Sequence, residues 1–187
     1  MNKLTAYFTS IGFTGEALEK ISEAIEVKTY KKNDFVVQEG KTSRHLGFVE
    51  SGAFQYYVNL DGEEKTTYVN IESTFLASVM SFVSETPALE NIRALNDGCL
   101  SLISRTNLKR LVEEIPSFKN FYINLLEFAV CGIDESRHDL IVLSAEQRYE
   151  KMLRKQPELL QQIPLQHLAS MLGITPRHLS RIRNTIR

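Results

Sequence analysis

The sequence has no tryptophan, two cysteines and no long apolar run. Cys99 and Cys131 lie far apart and lack C-x-x-C spacing, so the pattern predicts neither a disulfide framework nor a structural zinc site. Two thiolates are also too few for an iron–sulfur cluster, which takes about four. We therefore expect two ordinary buried thiols and no cofactor.

Membrane-directed segments are also missing. No apolar segment approaches the roughly 18 residues that a helix needs to span a bilayer. The first residues, MNKLTAYFTS, lack the basic-then-apolar order of a secretory signal. The sequence therefore indicates a cytoplasmic protein that does not contact membranes.

Acidic and basic residues nearly balance in the whole sequence, with 22 basic and 23 acidic residues. The average conceals an asymmetry, since no acidic residue follows Glu158. The remaining segment contains Arg177, Arg181, Arg183 and Arg187. A basic end on an otherwise acidic body is typical of a chain whose end faces a polyanion.

The length of 187 residues is enough for one or two domains with a real core. Apolar spacing between Leu4 and Ile25 predicts one or two short helices. From about 26 to 105 the sequence instead consists of short β-like runs, such as FVVQEG and AFQYYVNL. The turn signals between them are Gly40, Ser51-Gly52, Asp61-Gly62 and Asp97-Gly98. Many short strands at near-regular spacing favour an antiparallel barrel or jelly roll.

Helical spacing resumes at Thr106, and Pro116 followed by Ser117 marks the start of a longer helix. Apolar residues recur three or four apart from Ser117 to Leu143. Such a helix is about 40 Å long, more than one small barrel covers, so a helix of a second copy is the natural cover. The alternatives are a helix packed wholly on its own barrel, or two helices broken near Gly132.

The following segment also carries helix signals. Ser144 and Gln147 have the spacing of a capping box, which predicts a helix through Leu153. The stretch KQPELLQQIP is predicted to be a short connection.

The most informative segment is IPLQHLASMLGITPRHLSRIRNTIR, because it has the spacing of a helix-turn-helix. Gly173 supplies the turn, and Thr175 with Pro176 forms an N-cap and first turn for the second helix. The apolar face of the first helix is Leu165, Leu168, Ala169 and Leu172. The buried stripe of the second is Leu179, Ile182 and Ile186. The alternative is a helical hairpin that ends the fold with a solvated basic face.

Two segments resemble the Crp/Fnr superfamily of bacterial regulators. The first is YKKNDFVVQEGKTSRHLGFVESGAFQYYV, with glycines at Gly40 and Gly52, and the second is LASMLGITPRHLSRI. The resemblance implies an α+β fold with an antiparallel jelly-roll barrel as a cyclic-nucleotide-binding-like sensor domain over 1–116. It also implies a dimerisation helix over 117–143 and a DNA-binding domain over 144–187. Double-stranded DNA and a second copy of the chain are the implied partners.

The resemblance also places the DNA contacts. Arg177 and Arg181 fall where family members commonly read bases, which suits the planar fork of arginine. The expected assisting groups are His178, Ser180 and Asn184. The expected phosphate contacts are Thr175, Arg183 and Arg187. Pro176 stands at another base-reading position and makes no side-chain hydrogen bond, so we expect an operator unlike the best-known ones.

Two features depart from the family. Cyclic AMP binders carry a glycine, a glutamate and an arginine where this sequence has Leu76, Ala77 and Ala88, so we do not expect cyclic AMP binding. The family's β-hairpin wing does not follow the recognition helix before Arg187, so we expect weaker anchoring to the DNA backbone.

A small-molecule effector of unknown identity remains open. Its predicted pocket is lined by Phe75, Val79, Phe82, Arg93 and Tyr122, with ordinary core packing as the alternative. Haem ligation through His45 or His138 is a minor alternative.

The sequence therefore predicts a transcription regulator that binds DNA. One rival is a ligand-binding module that acts through protein partners. The other is a metal-dependent enzyme on a jelly roll, which needs clustered ligands, whereas the histidines are scattered at His45, His138, His167 and His178.

Overall fold

The structure, a computed structural model, describes residues 2–185. The helices are α1 (Lys3–Ser10), α2 (Gly15–Glu23), α3 (Val79–Ser84), α4 (Arg105–Glu114), α5 (Pro116–Val142), α6 (Ala145–Lys155), α7 (Pro157–Gln162), α8 (Leu165–Met171) and α9 (Pro176–Thr185). The strands are β1 (Ile25–Tyr30), β2 (Phe35–Val37), β3 (His45–Ser51), β4 (Ala53–Leu60), β5 (Glu63–Ile71), β6 (Phe75–Leu76), β7 (Asn91–Ala94) and β8 (Gly98–Ser104). The predicted order of short helices, strands and then helices is confirmed.

The chain forms two compact units. The first contains the residues up to 57 together with residues 69–122. The second contains residues 58–68, which are the tip of the β4–β5 hairpin, together with the residues from 123 onward. The predicted three-part division at 116/117 and 143/144 stays a prediction.

Two antiparallel sheets build the barrel, in the orders β1-β8-β3-β6 and β2-β7-β4-β5. This confirms the jelly-roll prediction. The core contains side chains from both sheets, including Val49 and Leu100 from one and Phe54 and Ile92 from the other, all fully buried. Burying apolar side chains of this size stabilises the fold by about 1.5–3 kcal/mol each.

Gly52 closes the tight connection between β3 and β4. Its φ is +88°, and a Cβ built there would lie 2.8 Å from the Cα of Gly98. Any other residue would be strained at this φ and would clash with the neighbouring backbone. The turn signal read from Ser51-Gly52 therefore has a steric basis.

A buried carboxylate attaches α1 to the barrel. Glu50 on β3 accepts hydrogen bonds from the backbone N–H groups of Lys3 and Leu4, at 2.6 and 3.0 Å. The hydroxyl of Ser101 donates a third, at 2.6 Å. A negative charge at a helix N-terminus is favourable, because the first N–H groups of a helix have no partner within it.

Helix α5 runs without interruption through Gly132, so the alternative of two helices broken there is wrong. At its start Phe118 is fully buried and packs against Phe8, with ring centroids 5.8 Å apart. Farther along, the helix exposes large apolar side chains, with Phe128 78% and Ile141 72% exposed. The alternative of a helix covered wholly by its own barrel is therefore also wrong.

The second unit differs from the sequence interpretation in one element. The capping box is present, since Ser144 accepts from the Gln147 backbone and the Gln147 side chain accepts from the Ser144 N–H. The stretch predicted as a connection instead contains α7, which begins at Pro157 and buries Leu159. Proline at the first helical position and the burial of one apolar anchor both favour this helix of six residues.

Candidate nucleic-acid interface

Helices α8 and α9 pack through an apolar seam. Leu168 and Ala169 on α8 are 1% and 0% exposed, and Leu179 and Ile182 on α9 are 0% and 3% exposed. Gly173, predicted to supply the turn between the helices, has a φ of +67°, in the left-handed region that favours glycine. The helix-turn-helix prediction fits these helices, and Ile186 of the predicted stripe lies outside the described residues.

The start of α9 has the predicted cap. The hydroxyl of Thr175 accepts a hydrogen bond from the His178 backbone N–H at 3.2 Å, and Pro176 is the first helical residue. A cap of this kind satisfies one of the otherwise unpaired N–H groups and contributes about 1 kcal/mol to helix stability. It also fixes which side chains α9 turns outward.

The outward face of α9 gathers most of the residues predicted to contact DNA. The exposed ones are Thr175, Arg177, His178, Ser180, Arg181 and Asn184, and Arg183 is half-buried. Within residues 2–185, no carboxylate lies within ion-pair distance of Arg177, Arg181 or Arg183. Arg187, the remaining predicted contact, lies outside the described residues. The face therefore presents cations that are free to meet an anion.

His178 differs from the arginines because it already has an acidic neighbour. Its Nε2 lies 3.4 Å from Oε1 of Glu146 on α6. The pKa of Glu146 is lowered, first by its own backbone N–H and then by the Ser144 hydroxyl, with His178 contributing less. The carboxylate stays ionised at neutral pH and competes with any phosphate for this histidine.

Arg148 on α6 fixes the end of α8. Its Nη1 donates to the carbonyl of Leu143 at 2.6 Å, and its Nη2 donates to the carbonyl of Leu172 at 2.7 Å. Both acceptors are carbonyls at or just beyond helix ends, where no intrahelical donor is available. This role of Arg148 has no signal in the sequence, because local spacing does not show which distant carbonyls a side chain will reach.

An ionic cluster joins α5 to α6. Lys151 contacts both Glu135, at 2.8 Å, and Asp139, and Lys155 contacts Glu135 at 2.5 Å. Hydrogen bonds from the two lysines lower the pKa of Glu135 to about 2. The bonds to Asp139 and Glu135 raise the pKa of Lys151. The cluster therefore links the second half of α5 to α6.

The hairpin tip of residues 58–68 packs on α8. The hydroxyl of Thr66 lies 3.0 Å from Nδ1 of His167, and the Ser170 hydroxyl donates to the Thr66 carbonyl at 3.1 Å. Both Thr66 and His167 are buried, at 4% and 8% exposure. His167 is therefore packed inside the second unit.

Of the five residues of the predicted effector pocket, Phe82 and Tyr122 both lie near Arg105, and the pocket itself stays a prediction. Phe75 packs on Phe48 at 5.1 Å between ring centroids, and Arg93 lies 4.6 Å above the ring of Tyr57. Phe82 is 2% exposed, Val79 is half-buried, and burial raises the pKa of Tyr122. A cavity of about 250 Å³ lies elsewhere in the barrel and is lined by none of the five.

The positions that would hold a cyclic nucleotide are filled or differently used. Leu76 is a core residue at 2% exposure. Ala88 is 2% exposed and pairs through its backbone with Lys41 and Gly40. Close by, Glu90 accepts from the Ser78 hydroxyl at 2.9 Å, and burial raises the pKa of Glu90. A carboxyl group here does not favour an anionic phosphate.

The thiols and histidines form no common site. Cys99 is half-buried, whereas Cys131 is exposed on α5, so the expectation of two buried thiols is wrong for Cys131. Among residues 2–185, no three His, Cys, Asp or Glu side chains are grouped as metal ligands would be. His45 lines the 250 Å³ cavity, and its pKa is lowered, chiefly by burial. No helix in the described part of the chain has both the length and the apolar character needed to cross a membrane.

Comparison with known proteins agrees with this architecture. The model of the cyclic nucleotide-binding domain family matches residues 27–115. Among curated protein sequences, none matches the chain. FixK2 from Bradyrhizobium japonicum has a similar structure, with a TM-score of 0.76 and 15% identity over 87% of this chain and 84% of that one.

Two further solved structures cover more of this chain. A CooA mutant from Carboxydothermus hydrogenoformans has a TM-score of 0.70 and 16% identity over 96% of this chain and 81% of that one. The c-di-GMP responsive global regulator CLP of Xanthomonas campestris has a TM-score of 0.66 and 18% identity, over 91% and 90%. At these identities the likeness establishes the fold.

Proposed function

We infer that this chain is a DNA-binding transcription regulator. The inference starts from two findings: residues 27–115 match the cyclic nucleotide-binding domain, and the structural neighbours of the chain are Crp/Fnr family regulators. One observation carries the inference. Helix α9 buries Leu179 and Ile182 against α8 and turns Arg177 and Arg181 to solvent without carboxylate partners among the described residues. A helix anchored on one side and cationic on the other suits the major groove of a duplex.

In this proposal the two fully exposed arginines of α9, Arg177 and Arg181, read bases. An arginine fork forms two hydrogen bonds with the O6 and N7 atoms of guanine, so Arg177 and Arg181 select guanine-containing steps. Ser180 and Asn184, exposed on the same helix, assist them. Arg183 and the capped start of α9 meet phosphates, which adds affinity without sequence selection. Because we do not expect cyclic AMP to bind, the effector of the barrel stays unassigned.

The regulator acts as a homodimer joined along α5. Side chains at heptad spacing form a stripe along this helix, and most of it is exposed: Ile123 42%, Val130 63%, Ile133 58% and Leu140 57%. Leu126 completes the spacing and lines a shallow apolar depression with Ile123 and Val130. A second copy has an identical stripe, so pairing two α5 helices covers both.

Dimerisation also gives the DNA contacts their spacing. Two recognition helices related by a twofold axis meet two half-sites about 34 Å apart on a near-palindromic operator. A monomer would contact one half-site and would lose most of the sequence selection.

Selection of bound sequences from a random DNA pool, using the full chain, tests the proposal. We expect enrichment of a near-palindrome with half-sites one helical turn apart. A pool that stays random while the protein remains folded and dimeric would overturn it, and would favour a module that acts through protein partners.

A further inference from the structure

A cavity of about 250 Å³ lies at one end of the barrel, apart from the residues of the predicted effector pocket. Its floor is apolar and buried, with Leu76, Leu102 and Tyr30 exposed by 2%, 4% and 5%. Val36 and Val37 of β2 form a further, partly buried wall. Pockets for drug-sized ligands measure roughly 300–1,000 Å³, so an occupant of this one is small.

The mouth of the cavity is cationic. Lys41 and Arg44 line it and are both exposed, which places them between the apolar floor and solvent. The lining contains no aspartate or glutamate. Within the described chain neither cation has a carboxylate at ion-pair distance. Their positive charge is therefore not neutralised by the protein.

Two polar side chains of the lining add hydrogen-bonding capacity. Ser43 is 3% exposed, and its hydroxyl has no hydrogen-bond partner within residues 2–185. Buried hydroxyl groups are usually satisfied, and a polar ligand atom in the cavity would give this one a partner. His45 is the second group. Burial lowers its pKa, Lys28 and Arg44 lower it further, and Glu26 opposes them. Its imidazole is thus neutral at pH 7 and offers both a donor and an acceptor.

We propose that this cavity binds a small amphipathic anion, a carboxylate with a short hydrocarbon body. The carboxylate lies at the mouth between Lys41 and Arg44, and the hydrocarbon body lies against Val37, Leu76 and Leu102. Removing that body from water drives binding, and charge-assisted hydrogen bonds at the mouth select the sign of the head group. The site goes beyond the proposed DNA binding and does not depend on it.

The geometry disfavours the other ligand classes. An ammonium head group would meet two cations at the mouth and would be repelled. A very short carboxylate such as acetate, with a single methyl group, would leave most of the apolar floor uncovered. A dinucleotide would exceed the volume of the cavity. Octanoate combines a single negative charge with a short apolar chain, so it is the appropriate probe.

Titration calorimetry of the full chain with octanoate, without DNA, tests the proposal. We expect saturable one-site binding for octanoate, and at least about tenfold weaker binding for both acetate and octylammonium. Absence of saturable octanoate binding to the folded protein would overturn the proposal. Equal binding of octylammonium would overturn the role of the cationic mouth.

Variants locate the site. The double substitution Lys41→Gln with Arg44→Gln should weaken octanoate at least about tenfold. The matched double substitution Lys32→Gln with Lys119→Gln removes two exposed lysines outside the lining and should leave binding unchanged.

Val37→Phe fills part of the cavity and should reduce affinity for octanoate more than for acetate. Equal losses in the two double variants, or wild-type affinity in Val37→Phe, would place the binding elsewhere. Because no DNA is present, failure here leaves the regulator proposal standing.

Discussion

The hydroxyl of Thr66 at the tip of the β4–β5 hairpin lies 3.0 Å from Nδ1 of His167 on the first helix of the helix-turn-helix. Both side chains are buried in the second unit. The Ser170 hydroxyl fixes the same strand by donating to the Thr66 carbonyl. The helix-turn-helix end of the chain is therefore packed in part by a hairpin that precedes it by about half the sequence.

Thr66→Val should destabilise the protein, because it keeps the shape of the side chain but leaves a buried imidazole nitrogen without its partner. We expect a loss of about 1–3 kcal/mol in the free energy of unfolding, measured by urea denaturation. Thr67→Val on the same strand is the matched control, since Thr67 is exposed. Equal stability of the two variants would show that the Thr66–His167 contact contributes nothing.

Arg181→Ala should weaken binding to the selected operator by about 1–3 kcal/mol and relax selection at one base position, because the arginine fork is lost. Competition gel shifts against operators substituted at each position measure both effects. Arg110→Ala, which removes a charge from α4, is the control for net charge. A loss that is the same for operator and random DNA would assign Arg181 to phosphate contact instead.

Ile133→Asp should dissociate the dimer, because it places a carboxylate in the apolar stripe of α5. Burying an isoleucine contributes about 1.5–3 kcal/mol, so the dissociation constant should rise at least tenfold. Sedimentation analysis measures it. Asn124→Asp adds the same charge to an exposed position of the same helix and should leave the dimer intact. Unchanged association of the Ile133 variant would move the interface away from this stripe.

The ionic cluster between α5 and α6 should give a pH-dependent stability. The pKa of Glu135 is lowered from 4.5 to about 2, so its stabilising contribution is complete above about pH 4.5 and is lost as the pH falls toward 2. Carbon-detected NMR titration of Glu135 measures this value. In Lys151→Gln the pKa of Glu135 should move back toward 4.5, whereas Lys119→Gln should leave it at about 2. A value near 4.5 in the wild type would mean that the cluster does not form in solution.

Local patterns were sufficient to predict the elements that local chemistry determines. Ser144 with Gln147 and Thr175 with Pro176 satisfy helix N-termini within a few residues, and the structure has both caps. Helix α7 was not predicted, because its sequence signal, a proline followed by Leu159, is weak without the surrounding packing. Helix α5 was predicted in full because its apolar spacing extends over many turns.

Features that depend on residues far apart in sequence were not predictable. Arg148 reaches a carbonyl 24 residues away, and Ser43 meets Ser81 across 38 residues. The sequence pattern placed a possible effector pocket around α3, and it gave no sign of the cavity that lies near the β2–β3 connection. Packing between the two sheets determines where a cavity remains, and local sequence patterns do not show the position of that cavity.

Thr66 and His167 are 101 residues apart, which has a consequence for biosynthesis. At roughly 5–20 residues per second, the hairpin tip emerges from the ribosome on the order of 5–20 s before α8 exists to cover it. During that interval the side of β5 that α8 later covers is exposed to water. Leu60, at the end of β4, is 56% exposed even in the folded structure. The unit that holds the helix-turn-helix is thus assembled from discontinuous sequence, and a fragment beginning at residue 123 would lack the hairpin that completes it.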